Sequence, residues 1–258
     1  MTRYHLDTSA QVERWFGAAA SQARLADVLS TGRQHTTSTH VYREWKRIVD
    51  QSAVEILNTV TSENPTDDLP RLAQGYGREP NRRMLVLFSL MREGKGRSWT
   101  TEELRLRARQ MLAFRSDEMF RKDMSSVRDS SECGLARNKA TSSSTGQYSL
   151  KVTCKKTEQI CRQPNAIEEQ VERWTAGAGE LQRSEPYASM GKTALKMATN
   201  EPERKGINCY GRTGDLSIAL ECDANETILT TDASFEVIGP AIGREVEKLP
   251  ATQRPPRN

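Results

Sequence analysis

The sequence has few of the residues on which zinc sites and redox centres depend. It contains three histidines and five cysteines, and no two cysteines form a Cys-x-x-Cys pair. Such pairs are typical of zinc sites and thiol redox motifs, so the sequence disfavours both classes. Free thiols in a reducing compartment are the simpler interpretation of the five cysteines.

Long apolar runs are also missing. Mean hydropathy is −0.71, and no run approaches the roughly 20 apolar residues that a membrane-spanning helix needs. The amino terminus lacks the basic, apolar and small-residue regions of a secretory signal. We therefore expect a cytoplasmic protein with no membrane partner. A P-loop is excluded as well, because Pro186 stands where that motif requires its first glycine before Gly191-Lys192-Thr193.

The stretch from Gly214 to Asp232 has the pattern of a short helix followed by a strand. Apolar residues after Asp215 predict a buried helix, and the β-branched run Thr227–Thr230 predicts a strand. Asp232 then follows the carboxyl end of that strand, where open α/β sheets keep their ligand sites. The pattern therefore places Asp215 and Asp232 at one edge of a sheet.

Two further acids match this arrangement. Asp7 follows the short extended segment Tyr4-His5-Leu6, and a helix is expected from Ala10 to Leu29. Glu44 lies in a second helical pattern that runs to Val60. We expect Asp7 at a second strand end and Glu44 on a helix that faces the same edge.

Converging carboxylates are the ligands that Mg²⁺ and Mn²⁺ prefer, since both are hard cations that bind oxygen. Asp7, Asp215 and Asp232 are therefore candidate metal ligands, with Glu44 as the fourth acid. The hydroxyls of three neighbouring residues could hold a water or a phosphate oxygen; they are Thr8, Ser9 and Thr231. Taken singly, each acid also has a structural interpretation as a helix cap, a turn residue, a solvated helix residue or a strand-end residue.

The middle of the chain differs in composition. Prolines and glycines within residues 61–80 indicate a boundary. Residues 71–128 hold fourteen Lys or Arg against seven Asp or Glu, so this segment carries about +7 while the whole chain carries +4. Arg105 and Arg109 lie one turn apart on a helix that opens with a capping box at Thr100, and are candidates for binding phosphates. Ordinary solvated helix faces are the alternative interpretation of this charge.

Local patterns give further expectations. Residues 32–40 are polar and predict a loop, as do the Ser-rich residues 125–146. A short helix over residues 166–174 is expected to end before Gly177 and Gly179. Residues 148–154 alternate as a half-buried strand.

The order of these motifs resembles the PIN domain family of metal-dependent nucleases. A strand before Asp-Thr-Ser, a helical Ser-x-x-Val-x-x-Glu, a Gly-Asp at a helix start and a strand before Thr-Thr-Asp match its acidic positions. Phe235 matches the aromatic residue that often follows the last acid. The resemblance covers about residues 1–55 and 205–250, and it implies a metal-dependent nuclease fold with RNA as substrate.

We therefore expect an α/β fold with a mostly parallel sheet and helices on both faces. Residues 1–60 and 205–250 would form a discontinuous nuclease core. Residues 61–204 would be a basic, mainly helical insertion, and 251–258 a basic tail.

The expected function is a Mg²⁺- or Mn²⁺-dependent ribonuclease whose insertion clamps RNA over the acids. One alternative is a PIN-like module that binds RNA or a protein without cutting. Another is a toxin of the VapC kind, held by a protein antitoxin. A protein regulator or self-association into a homo-oligomer is compatible with each of these interpretations.

Overall fold

The computed structural model describes residues 3–30, 35–63, 65–68, 82–92, 99–129, 138–152, 163–199 and 213–251. Seven strands lie in these ranges: β1 Arg3–Leu6, β2 His35–Ser38, β3 Met124–Arg128, β4 Asn138–Ser142, β5 Tyr148–Val152, β6 Glu226–Thr230 and β7 Glu245–Lys248. Five of them form one sheet in the order β3-β2-β1-β6-β7, and every pairing in it is parallel. The remaining two form the antiparallel β4–β5 hairpin.

Eleven α-helices occur in the described ranges: α1 Thr8–Phe16, α2 Ala19–Leu29, α3 Thr39–Thr59, α4 Arg82–Arg92, α5 Thr101–Gln110, α6 Ser116–Arg121, α7 Gln163–Glu169, α8 Val171–Arg183, α9 Ala188–Thr199, α10 Gly214–Glu221 and α11 Ser234–Ala241. A 3₁₀ turn covers Pro65–Asp68, and a π-helical turn at Met111–Arg115 joins α5 to α6. None of the described helices is long and apolar enough to cross a membrane.

Helices cover both faces of the sheet. Side chains alternate along a strand, so neighbours in β6 face opposite layers. Ile228 belongs to the larger core, which contains Trp45 of α3 and Trp174 of α8. Leu229 belongs to a smaller core, where it packs with Leu25 of α2. The expectation of an α/β fold with a parallel sheet and flanking helices is confirmed.

Residues 32–34 of the loop expected over residues 32–40 lie outside the described residues, and the rest of that expectation is wrong, because residues 35–38 form β2 and residues 39 and 40 begin α3. The sequence His-Thr-Thr-Ser offers no apolar alternation, yet all four residues are buried. Their polar groups are satisfied across the sheet: Thr36 Oγ1 donates to Glu226 Oε1 (3.0 Å), and Thr37 Oγ1 donates to the Leu6 carbonyl (2.9 Å). A buried hydroxyl with a partner avoids the cost of desolvation, so a polar strand can be central.

Two more local expectations need correction. The single helix expected up to Leu29 is broken by Gly17, whose extended backbone ends α1. The helix expected over residues 166–174 is two helices, because α7 ends at Glu169 and α8 begins at Val171; α8 then runs through Gly177 and Gly179 to Arg183. A Cβ on Gly177 would lie 2.7 Å from Leu216 Cδ1, so the glycine allows α8 to approach α10 closely. Tertiary packing thus outweighs the low helix propensity of glycine.

Strands also occur where a Ser-rich loop was expected over residues 125–146. β3 lies at the edge of the main sheet beside β2, and β4 pairs with β5. Both features fall within residues 61–204, the segment assigned to an insertion. This segment therefore supplies a strand of the main sheet in addition to helices.

A buried polar network explains the unusually polar first strand. Nδ1 of His5 in β1 lies 3.0 Å from Thr36 Oγ1. The Glu226 carboxylate of β6 accepts a hydrogen bond from Thr36, and it accepts two from the Arg128 guanidinium of β3, at 2.6 and 2.7 Å. Burial lowers the pKa of His5 to about 3, so its imidazole stays neutral. The four strands β1, β2, β3 and β6 are thereby joined by side chains as well as by backbone pairing.

Candidate acidic active site

Asp7 lies directly after β1 and caps α1. Its Oδ1 accepts from the Ala10 N–H (2.7 Å), and the hydroxyls of Ser9 and Thr230 donate to its carboxylate (2.8 and 2.9 Å). An Asp at this position satisfies a backbone N–H that lacks a helical partner. Burial raises the pKa of Asp7, while Arg82 and these hydrogen bonds oppose the increase.

The end of β6 lies beside the start of α1. The Thr231 N–H donates to Ser9 Oγ (2.7 Å), and the Asp232 N–H donates to Thr230 Oγ1 (2.9 Å). The same Thr230 hydroxyl donates to Asp7. Ser9 therefore orients both a backbone turn and an acid.

Glu44 reaches this edge from α3. Thr8 Oγ1 donates to its Oε2 (2.5 Å), so this hydroxyl orients the fourth acid. Gly214 begins α10 on the other side. A Cβ there would lie 3.0 Å from Glu44 Oε1, so the absence of a side chain lets the carboxylate approach the start of α10.

Asp215 lies in the first turn of α10, where the helix dipole favours negative charge. The Ser234 hydroxyl donates to its Oδ2 (2.6 Å), and the Ser234 N–H is 3.2 Å from Asp232 Oδ1. Burial raises the pKa of Asp215 to about 7, and the carboxylates of Glu44 and Asp232 add to the increase. Ser234 therefore links Asp215 to Asp232, and Glu44 lies beside Gly214, the residue before Asp215.

An arginine lies among the four acids. Arg82 is the first residue of α4, and its Nη2 donates to Asp232 Oδ2 (2.6 Å). Burial lowers the pKa of the guanidinium, but all four acids outweigh burial and raise it. Those acids are Asp7, Glu44, Asp215 and Asp232. The acids from four separate segments therefore converge on one positive side chain.

A metal ion needs several of these oxygens at once. In the part of the chain that the structure describes, no three His, Cys, Asp or Glu side chains are arranged to hold one ion. The chemistry of the site nevertheless suits Mg²⁺ or Mn²⁺, because every acid offers oxygen and the Arg82 guanidinium marks a place where positive charge is stabilised. A metal at these acids would lie close to the guanidinium that binds Asp232 Oδ2.

Arg105 and Arg109, the two candidate phosphate-binding residues, have different surroundings. Arg105 Nη1 donates to the carbonyls of Leu57 and Val60 (2.6 and 3.2 Å), which closes the carboxyl end of α3. Arg109 is exposed. Phe235 is buried in the larger core, so it packs α11 rather than contacting a ligand.

Sequence reasoning missed three residues of this cluster. Thr230 and Ser234 flank Asp232 in the sequence, so a search for hydroxyls beside the acid would have found them. Arg82 had no local signal. It was counted with the basic residues 71–128, but it lies 150 residues from Asp232 in the chain.

Comparison of the chain with protein-family models, with curated proteins and with solved structures gave no match.

Proposed function

We propose that the chain is a Mg²⁺- or Mn²⁺-dependent nuclease that hydrolyses phosphodiester bonds, with RNA as the substrate. The observation that supports this proposal is the convergence of four carboxylates at the carboxyl edge of the sheet. Asp7 and Asp232 follow β1 and β6, which are neighbours where the strand order reverses. Ligand sites of open parallel sheets lie at such a reversal.

Asp7, Asp215 and Asp232 would hold the metal, with Glu44 fixed nearby by Thr8. When bound, the metal would supply a nucleophilic water and stabilise charge on the phosphate oxygens. The chain's own contribution is to hold the acids. Ser9 and Thr230 orient Asp7, and Ser234 orients Asp215. The basic residues 71–128 would attract the phosphate backbone, which supplies most of non-specific affinity.

In this proposal the substrate is RNA, as the resemblance to PIN domains implies, and the protein acts in the cytoplasm. A PIN-like fold is part of the same proposal. The parallel five-stranded sheet and the order of the acids along it are compatible with this fold.

A second candidate function is nucleic-acid binding without cleavage. It is favoured by the structural contacts of the acids, since Asp7 caps α1 and Asp232 pairs with Arg82. In that case the carboxylates would serve the fold, and Arg82 would remain their permanent partner.

A cleavage assay separates the two functions. Single-stranded and hairpin RNAs are incubated with the full chain in Mn²⁺ or in EDTA, and product lengths are read on a gel. We expect Mn²⁺-dependent cleavage that falls at least about a hundredfold in Asp215→Asn and Asp232→Asn, because each removes charge from a metal ligand.

The matched control is Asp123→Asn. Asp123 pairs with Arg14 just before β3, at the opposite edge of the sheet. Its φ of 62° suits asparagine as well as aspartate. Retained RNA binding with no cleavage in any divalent metal would favour the binding module instead.

A further inference from the structure

Arg82 is held among the acids that are proposed to bind the metal. Its Nη2 lies 2.6 Å from Asp232 Oδ2, and its side chain is 33% exposed. The guanidinium is therefore within the acidic cluster, while part of the side chain remains open to solvent. Asp232 itself is 30% exposed, so a ligand can approach both partners of the ion pair.

The ion pair gives the cluster a positive charge without a metal. Four carboxylates that converge repel one another, and one guanidinium reduces that repulsion. A divalent cation among these acids would meet the positive charge of the guanidinium, which already binds Asp232 Oδ2. Binding of one therefore opposes binding of the other unless Arg82 finds a second anion.

A phosphodiester supplies that anion. The planar guanidinium fork matches two phosphate oxygens as it matches two carboxylate oxygens, so both pairs can form two parallel hydrogen bonds. A nucleic acid drawn to the acidic edge would place its phosphate beside the metal ligands. The guanidinium then exchanges a carboxylate for a phosphate without losing an ionic partner.

We infer that Arg82 is the phosphate-binding residue of this site, and that nucleic acid and divalent metal bind cooperatively because the phosphate draws Arg82 away from Asp232. The inference rests on the proposed nuclease function and names the residue that joins its two ligands. In the free protein, Arg82 weakens metal binding. In the complex it holds the substrate.

Cooperativity of this kind is reciprocal, so RNA should tighten Mn²⁺ binding by the same factor as Mn²⁺ tightens RNA binding. We expect a factor of about ten or more in the wild type. Arg82→Gln should bind Mn²⁺ about tenfold more tightly than the wild type when RNA is absent. It should show no further gain when RNA is added.

The measurement is Mn²⁺ binding to the full chain, followed by the electron paramagnetic resonance signal of free Mn²⁺. It is made with and without a ten-nucleotide RNA whose phosphorothioate backbone resists cleavage, and Mn²⁺ binding by this RNA alone is subtracted. Arg82→Lys is the second variant, since it keeps the charge but not the planar fork. It should show Mn²⁺ affinity and coupling between those of the wild type and Arg82→Gln.

Arg14→Gln is the control for the loss of one positive charge. Arg14 pairs with Asp123 at 2.7 Å, away from the acids. The Arg14→Gln substitution should therefore leave both the Mn²⁺ affinity and the coupling unchanged.

Two results would overturn the inference and leave the proposed nuclease intact. One is cleavage-competent wild type whose Mn²⁺ affinity is the same with and without RNA. The other is a Mn²⁺ affinity in both Arg82→Gln and Arg82→Lys that equals the affinity of the wild type. If no variant binds Mn²⁺, or if Asp215→Asn binds it as well as the wild type, the proposed function fails together with the inference.

Discussion

At the scale of single residues, Asp7 connects the fold to the site. The carboxylate that caps α1 is also bound by Thr230 from the end of β6. Docking of β6 beside β1 therefore fixes the direction of this acid before any ligand arrives. A side chain held by several hydrogen bonds loses less freedom on binding than a mobile one, so the site is partly pre-organised.

Asp215 provides a test of the acidic cluster by stability. Its pKa in the folded protein is about 7, against an ordinary value of 3.8. Between about pH 4 and 7 the folded state therefore holds more protons than the unfolded state. Stability of the metal-free protein should fall as pH rises through this window. Asp215→Asn removes the titration, so at pH 8 we expect it to be more stable than the wild type by about 1–2 kcal/mol, or a few degrees in Tm.

The measurement is thermal unfolding of both proteins in EDTA from pH 4 to 8. Burial also raises the pKa of Asp50 to about 7, so Asp50 titrates in the same window. The difference between the two proteins at each pH removes this shared contribution. Curves that stay parallel across the window would show that Asp215 ionises as an ordinary surface acid.

The acids could be placed from local sequence signals: Asp7 and Asp232 follow strands, Asp215 opens a helix, and Glu44 lies within a helical pattern. Arg82 could not, because no pattern near it refers to the acids. Its position depends on how α4 packs against the rest of the chain. Long-range partners of this kind follow from the fold and not from local propensity.

At the scale of elements, β2 shows where pattern reasoning fails. Hydrophobic alternation marks a strand only when its buried face is apolar. The buried hydroxyl of Thr36 is instead satisfied by Glu226, a residue 190 positions away. By contrast, α5 was predicted correctly, because its capping box is local to Thr100 and Glu103.

Helix α5 carries two arginines with different expected roles, one structural and one exposed to a ligand. Arg105 closes the end of α3 through two carbonyls, so Arg105→Gln should lower the free energy of unfolding by about 1–3 kcal/mol. Arg109 is exposed, so Arg109→Gln should change stability by less than about 0.5 kcal/mol. If the basic segment binds RNA, Arg109→Gln should also reduce the salt dependence of RNA affinity by about one phosphate contact.

Chemical denaturation and fluorescence anisotropy at several salt concentrations provide these two measurements on the same pair of variants. Equal stability of the two variants would contradict the capping role of Arg105. An unchanged salt dependence in Arg109→Gln would show that Arg109 binds no phosphate and is an ordinary residue of a solvated helix face.

At the scale of the whole molecule, the sheet and the larger core join segments that the sequence separates. β3 comes from residues 61–204 but pairs with β2 of the main sheet. Trp45 and Trp174 come from the expected core and the expected insertion, respectively, and both belong to the larger hydrophobic core. Composition shifts along a chain mark differences in surface charge, and these need not coincide with boundaries of packing.

This shared packing predicts that the described strands and helices unfold together. Calorimetric and van 't Hoff enthalpies should agree, and far-ultraviolet circular dichroism and tryptophan fluorescence should report one transition. Arg128→Met provides the sharper test. Arg128 bonds the fully buried Glu226 carboxylate from β3, so its loss leaves an unpaired charge and should cost about 3–5 kcal/mol.

The control is Arg121→Met, the same substitution at an exposed position of α6, where the arginine lies over the Tyr42 ring. It should cost less than about 1 kcal/mol, the value of an exposed cation–π contact. Because Arg128 joins β3 to β6, its substitution should lower one shared melting temperature for both optical signals. Two separate transitions, of which Arg128→Met shifts only one, would instead mean that residues 61–204 fold as a unit of their own.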